Sequence, residues 1–361
     1  MDSPFSSLGA EEAKERRQGQ RRLLKRIFDC AKEENCDLIL LAGDVFDSKY
    51  VTPETEALFL KLLEESTCPT VICAGNHDPY AEGSFYQKNA LPEHTYLFTE
   101  SALTHFDFPE LGARVYGYSF RGVTLKESPL SLAEADTDFQ GIRLLCAHGD
   151  LQDPLSKYGP ITVNDIVKFN INYAALGHVH KAPDAMALPT GIAQYCGIPE
   201  GRSFDETGEC GVWLVTVEEG AVVSCLRRVL SERQYRIEEL DVSACADEAE
   251  ILERIGQVSE TYLKTQGVCL RLRLVGCMAP DVSFEELVEA NPQISLQNET
   301  VPVMDGEALK QDVTIRGALY RVLYPDLISG DPDRRLRALR ALQIGLAAAD
   351  EREIPTEEDL T

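Results

Sequence analysis

Apolar and polar positions alternate along this chain with two periods, and the switch from one to the other marks its elements. Leu24, Ile27, Phe28 and Ala31 recur at helical spacing, which predicts an amphipathic helix over about 11–34. The run from Asp37 to Ala42 then reads as a buried strand. Thr52 and Pro53 mark the next helix, a hydroxyl cap with proline at the first position, and Leu58, Leu62 and Leu63 lead back to a second buried strand at 70–74. Between Leu91 and Gly122 the pattern changes to short strands at 104–108 and 114–118, split by Leu111-Gly112 and paired as an antiparallel hairpin. Buried strands recur at 142–147 and 173–176, and between them Thr162 with Asp165 starts a short helix as a capping box.

Alternating helix and strand means an α/β layer arrangement. From Gly191 to Val229 the pattern is all strand and turn, with 211–217 and 221–229 joined across Glu218-Glu219-Gly220, and this region reads as a second sheet. Beyond about Leu240 a helix at 248–263, a strand at 268–275 and a helix at 284–290 predict a smaller α/β domain. Helices at 314–323 and 331–349 follow, and then an acidic tail. The expected division is a domain over 1–240 and a capping or partner-binding domain over 241–361. The 361 residues suit two domains at roughly 150 residues each.

Composition narrows the classes. Apolar residues at 44% and charged residues at 26% are those of a globular protein, neither disordered nor fibrous. No stretch reaches the ~20 apolar residues of a membrane span, and Met1-Asp2-Ser3-Pro4 has neither the basic nor the apolar part of a signal peptide. Eleven scattered cysteines without a Cys-x-x-Cys pair are expected as reduced thiols in the cytoplasm. A net charge of -25 argues against a general nucleic-acid coat, since phosphate contacts need Lys and Arg. Two basic clusters, Lys14 to Arg26 and Arg334 to Arg340, read as solvated helix faces.

Four predicted strand ends carry the candidate chemistry: Gly43-Asp44, Gly75-Asn76-His77-Asp78, His148-Gly149-Asp150 and Gly177-His178-Val179-His180. Polar groups at the carboxyl end of a buried strand are poor packing and good chemistry, because the sheet holds them while the loop exposes them. Carboxylate, amide and imidazole together suit Mn, Fe, Mg or Zn, and the absence of thiolates disfavours a structural zinc knot. In a strand, His178 and His180 share one face and could serve adjacent metals. A carboxylate such as Asp44 can bridge ions ~3.5 to 4 Å apart, the separation used for displacement at phosphorus. His94 and His105 read as ordinary loop and strand residues.

The four motifs in this order resemble those of the calcineurin-like metallophosphoesterases. The stretch from Gln194 to Arg202, with Glu206-Thr207-Gly208-Glu209 and Gly211, is similar to the branch of SbcD-like and YhaO-like DNA repair exonucleases. The resemblance covers residues 1–230 well and the remainder in outline. It implies a two-sheet sandwich flanked by helices, two Mn ions, hydrolysis of DNA phosphodiesters, and a coiled-coil SMC-like ATPase as partner, with a homodimer left open. By the same resemblance Asp44 bridges both ions, Asn76, His148 and His178 complete the second site, and His180 binds the first. His77 would act on the scissile phosphate with Asp78 orienting its ring, a metal-bound water being the nucleophile, and Asp47 would be structural.

The family pattern opens with an Asp-x-His motif on a first strand, which this sequence lacks; Met1-Asp2-Ser3-Pro4-Phe5 resembles the segment just after it. The first metal site is therefore expected to be incomplete. Either the start lies upstream and the 1–240 domain is truncated, or the chain is a degenerate member, and the intact later motifs favour the former. The alternatives to a DNA exonuclease are a phosphoesterase acting on small nucleotides or phosphoproteins, and a catalytically impaired scaffold. The last helix, with Leu336, Leu339, Leu342 and Leu346, offers an apolar stripe that either docks the partner or packs on its own domain.

Overall fold

The computed structural model describes residues 1–2, 5, 9–136, 138–181, 183–279, 282–302 and 306–349. The chain divides into two compact units, Met1–Arg202 with Gly208–Glu232, and Ser203–Thr207 with Arg233–Thr361.

Unit 1 begins with helix α1 (Ala10–Glu33), strand β1 (Ile39–Ala42), helix α2 (Pro53–Glu64) and strand β2 (Thr70–Cys73). Thr52 caps α2 by accepting from Thr55 N, with Pro53 behind it. After a short helix α3 (Phe85–Lys88), strand β3 (Thr95–Leu97) completes a parallel sheet in the order β1-β2-β3. Strands β4 (Thr104–Phe108) and β5 (Ala113–Gly117) form the expected hairpin. They continue, past helix α4 (Pro129–Leu132), into β6 (Ile142–His148), then helix α5 (Val163–Lys168), β7 (Tyr173–Gly177), β8 (Met186–Leu188) and β9 (Gly191–Tyr195). These strands make a six-stranded sheet in the order β4-β5-β6-β7-β9-β8. The capping box of Thr162 and Asp165 is present at α5.

The second sheet is therefore not the one read from 191–229. Its core is β5, β6 and β7, which the buried runs alone could not separate from β1 and β2. Residues 191–195 join it as β9, while β10 (Gly211–Glu218) and β11 (Ala221–Val229) pair with each other as a separate hairpin. Strand β3 was not anticipated, because three half-buried residues carry no readable period.

The two sheets face each other, and the side-chain period of two sorts their residues. Ala42, Val71, Cys73, Val115, Leu144, Cys146, Tyr173 and Ala175 meet in the core between the sheets. Their neighbours point outward: Ile72 packs with Leu24, Phe28, Phe59 and Leu63 of α1 and α2, while Leu145, Ala147, Ala174 and Leu176 pack with Leu130, Ile166 and Phe169. The strands are buried on both faces, which is why they read as continuous apolar runs. Phe46, Phe59, Phe85 and Tyr86 form an aromatic cluster under the loop that follows β1.

The first basic cluster is not wholly a solvated face. Arg16 is only 4% exposed, and Arg21 donates to Asp2, Thr52 and Thr55. The turn before α2 supplies fixed acceptors for a cation, a tertiary arrangement that helical period cannot reveal.

Unit 2 places β12 (Gln234–Asp241), β13 (Val268–Val275) and β15 (Ser295–Asn298) in one parallel sheet, with helix α6 (Glu248–Leu263) between the first two, a short strand β14 (Cys277–Met278) and helix α7 (Phe284–Ala290) before the third. Strand β12 lies before the boundary read at 240, yet its register with β13 assigns it to unit 2. After β16 (Val301–Pro302) come α8 (Gly306–Gln311), α9 (Ile315–Leu327) and α10 (Pro332–Ala349). Leu342 and Leu346 of α10 are buried with Leu309 and Tyr320, so that part of the stripe packs on its own unit, and the side chain of Leu336 lies outside the described residues. No helix among the described residues is long and apolar enough to cross a membrane.

Phe59 is fully buried, with its ring 5.3 Å from Phe46 and 5.5 Å from Phe85. Phe59→Ala is expected to cost about 3–5 kcal/mol, read as a lower urea midpoint at unchanged m-value; a loss below about 1 kcal/mol would show that the cluster collapses without penalty.

Candidate metal centre

The facing sheets bring the ends of β1, β2, β6 and β7 to one place. His148, the last residue of β6, is 1% exposed and fills the gap between the sheets. Its Nδ1 lies 3.0 Å from Ala42 O at the end of β1, and its Nε2 lies 2.9 Å from Asn76 Oδ1 and 3.4 Å from Asp44 Oδ2. A carbonyl can only accept, so the ring gives its Nδ1 proton to Ala42. In the neutral ring Nε2 then carries a lone pair aimed at two oxygens. Protonating Nε2 would satisfy all three, but burial pushes this imidazole's pKa down, against a partial pull upward from Asp44. Three acceptors facing one point with no proton between them are a fit for a divalent cation.

Close backbone approach makes this possible. A Cβ on Gly177 would collide with Ala42 O and crowd His148 Nδ1, and one on Gly75 would collide with Asp44 Oδ1. Two of the donor residues also sit in the left-handed region, Asp44 at φ 54° and His178 at φ 94°. Non-glycine residues there cost roughly 1–3 kcal/mol each and persist where surrounding contacts over-determine them.

The other expected residues divide. His178 packs its ring against His148 at 5.3 Å and Tyr158 at 5.1 Å, and burial lowers its pKa as well. His180 is turned elsewhere: its Nδ1 accepts from Arg202 Nη2 at 3.1 Å. The strand ends at Gly177 and the positive φ of His178 breaks the extended path, so the alternation that put both rings on one strand face does not apply. His77 is exposed, with its N–H donated to Asp44 Oδ1 and its carbonyl accepting from Ser48 N, and it lines an open cavity of about 750 Å³ together with Asp44, Asp47, His178 and His180. His94 bonds Leu63 O and His105 lies beside Tyr116, away from the motif ends.

Asp78 does not orient the His77 ring. Its Oδ1 accepts from Asp44 N and Gly75 N at 3.0 and 2.7 Å, and its Oδ2 from Phe46 N and Tyr86 OH at 3.1 and 2.9 Å. Its four donors turn this carboxylate inward, 1% exposed, while the neighbouring His77 stays exposed. Burial, and after it Asp44, raises its pKa to about 7 against the pull of its donors. Among the described residues no group of three or more His, Cys, Asp and Glu side chains is gathered as a metal site; the converging set includes an amide. Sequence reasoning missed Tyr86 and Tyr158 as supports of the site, read Arg16 as part of a solvated basic face, and quoted Arg202 only within the stretch from Gln194 to Arg202.

Residues 17–182 match the family described as Metallophos, calcineurin-like phosphoesterase. The "Uncharacterized metallophosphoesterase YhaO" of Bacillus subtilis (strain 168) is 29% identical, spanning 74% of this chain and 68% of its own. The "DNA double-strand break repair protein Mre11" of Methanopyrus kandleri is 24% identical over 84% of this chain and 73% of its own. A crystal structure of TT1561 of Thermus thermophilus overlaps 50% of this chain and 84% of its own at 14% identity, with a TM-score of 0.35, too slight a likeness to argue from. The family match and the two relatives support the calcineurin-like metallophosphoesterase superfamily, and with it an enzyme.

Asp78→Ala leaves three main-chain N–H groups and the Tyr86 hydroxyl without their acceptor, and is expected to cost on the order of 3 kcal/mol or more in urea unfolding. Because His148 and His178 titrate below 6.5 when folded, the unfolded chain binds more protons in acid. In chelator, the contribution of these two rings to stability should therefore fall as the pH drops below about 6.5, while Asp78, whose raised pKa favours the proton in the folded chain, acts in the opposite direction. The stability of the native protein relative to His148→Asn should accordingly decrease in acid, and a difference that does not change with pH would contradict the buried neutral ring.

Proposed function

We propose that this chain, with its match to the calcineurin-like phosphoesterases over residues 17–182, hydrolyses DNA phosphodiesters in repair with divalent ions, Mn being favoured. The observation that carries this reading is the convergence of Asp44, Asn76 and His148 on one point beside His178. These residues would hold a divalent ion, which when bound supplies Lewis-acid polarisation and a water nucleophile at neutral pH. The chain's own groups do the rest. The His148–Ala42 bond keeps the Nε2 lone pair aimed into the site, as second-sphere bonds do for metal-ligating histidines. His77, on a backbone pinned at both its N–H and its carbonyl, presents its exposed ring at the cavity and would protonate the leaving oxygen. Asp44 holds that backbone through Oδ1, and its Oδ2, 3.4 Å from His148 Nε2, would be left to hold the ion.

The relative named for double-strand break repair supports DNA as the substrate class. A phosphoesterase for small nucleotides or phosphoproteins is the second reading, favoured by the net charge of -25, which opposes long polyanions. A coiled-coil ATPase partner would dock on unit 2, where Ile315 and Val322 of α9 stay 73% and 75% exposed.

The test compares Mn-dependent cleavage of linear duplex DNA with that of bis(p-nitrophenyl) phosphate, with EDTA as control. DNA degradation that EDTA abolishes is expected, and His77→Ala should lower kcat by about 10²–10³-fold at unchanged metal content. Turnover of the small diester alone would move the assignment to the second reading. Turnover of neither, with at most one weakly held ion, would leave a scaffold.

A further inference from the structure

The site as described gathers oxygens. Asp44, Asn76 and Asp47 face or line it, in a chain of net charge -25, yet a phosphodiester is itself an anion. The arginines at the cavity wall are Arg16 and Arg202, and they differ in a way that assigns their work. Arg16 is 4% exposed and its Nη2 donates to Gly201 O and Arg202 O at 3.2 and 3.3 Å. Arg202 is exposed and its guanidinium lies against His180 at 3.1 Å.

Between the end of β9 and Arg202 the chain forms a strap fastened at several points. Cys196 N donates to Leu176 O at 2.8 Å, beside the motif-bearing end of β7. Gly197 turns the chain at φ 69°. Glu200, 8% exposed, accepts from Glu232 N at 2.7 Å. Arg16 then holds the last two carbonyls. Burying a guanidinium is costly unless its donors are well placed, and here Nη2 is directed at the main chain of the strap. The result is a fixed point from which one long cationic side chain reaches the histidine motif.

We propose that Arg202 is the phosphate-binding residue of this site, its planar fork donating to the non-bridging oxygens of the substrate, and that Arg16 is the positioning residue that sets it there. This rests on the phosphoester reading of the site. Arginine suits the task because its donors are spaced like phosphate oxygens and its charge persists at every working pH. The bond to His180 keeps the fork within reach of the ring motif when no anion is present. An interaction made equally to bound substrate and to transition state appears in KM and leaves kcat alone.

The experiment uses the full chain loaded with Mn. Inorganic phosphate binding is measured by calorimetry for the native protein, Arg202→Ala and Arg202→Lys, with Mn content followed in parallel. Arg202→Ala should weaken phosphate binding at least tenfold, Arg202→Lys should recover part of it, and Mn binding should stay within twofold. With bis(p-nitrophenyl) phosphate, Arg202→Ala should raise KM about tenfold at nearly constant kcat, and Arg16→Gln should raise it less, also at constant kcat. Phosphate affinity unchanged in Arg202→Ala would overturn the proposal. So would loss of Mn together with phosphate, since Arg202 would then serve only to hold His180, and so would absence of phosphate binding to the native protein. A native protein that binds phosphate through Arg202 but cleaves no diester would overturn the hydrolase reading and leave this assignment standing.

Discussion

The Asp78 carboxylate accepts from the main chain on both sides of the site: Asp44 N and Phe46 N from the loop after β1, and Gly75 N from the loop after β2. Tyr86 closes the fourth position. A carboxylate buried with four donors has little freedom to move, and removing any donor leaves an unsatisfied group in a low-dielectric interior. The two loops are thereby fixed relative to each other. Asp44 and Asn76 inherit their positions from that bond set, including the strained backbone of Asp44.

The same loops are held from below by apolar packing. Phe46 lies two residues beyond Asp44 and is 1% exposed among Phe59, Phe85 and Tyr86. Packing thus places the main chain, and the carboxylate sets its local geometry. From the opposite sheet, His148 and His178 follow directly on buried runs whose alternate residues face the two cores. A site built across two sheets is as rigid as the contact between them, and the collision that a Cβ at Gly177 would make with Ala42 shows how little room that contact leaves.

Side chains that look alike in sequence take different work according to what surrounds them. Arg16 and Arg202 are both cationic, but one is buried beneath a strap and the other projects from it. His178 and His180 are two residues apart, yet one packs edge-on against His148 and the other faces Arg202. In each pair a φ angle or a distant carbonyl decides the outcome.

The chain's own pattern determined the α/β class, the motif-bearing strands, read at 37–42, 70–74, 142–147 and 173–176 and found within two residues of those bounds, the hairpins, and the placing of Asp44, Asn76, His77, His148, His178 and His180 at or beyond strand ends. These depend on local period and on glycine turns, which neighbours in sequence settle among themselves. Tertiary structure alone decided which strands share a sheet, because runs buried on both faces look identical whichever sheet they join. It alone turned Asp78 inward, buried Arg16, drew Leu342 and Leu346 into their own unit, and set Arg202 beside His180. Each of those results depends on partners from about twenty to nearly two hundred residues away, and the donors and acceptors that satisfy a buried group are chosen by the folded chain, not by the residue that needs them.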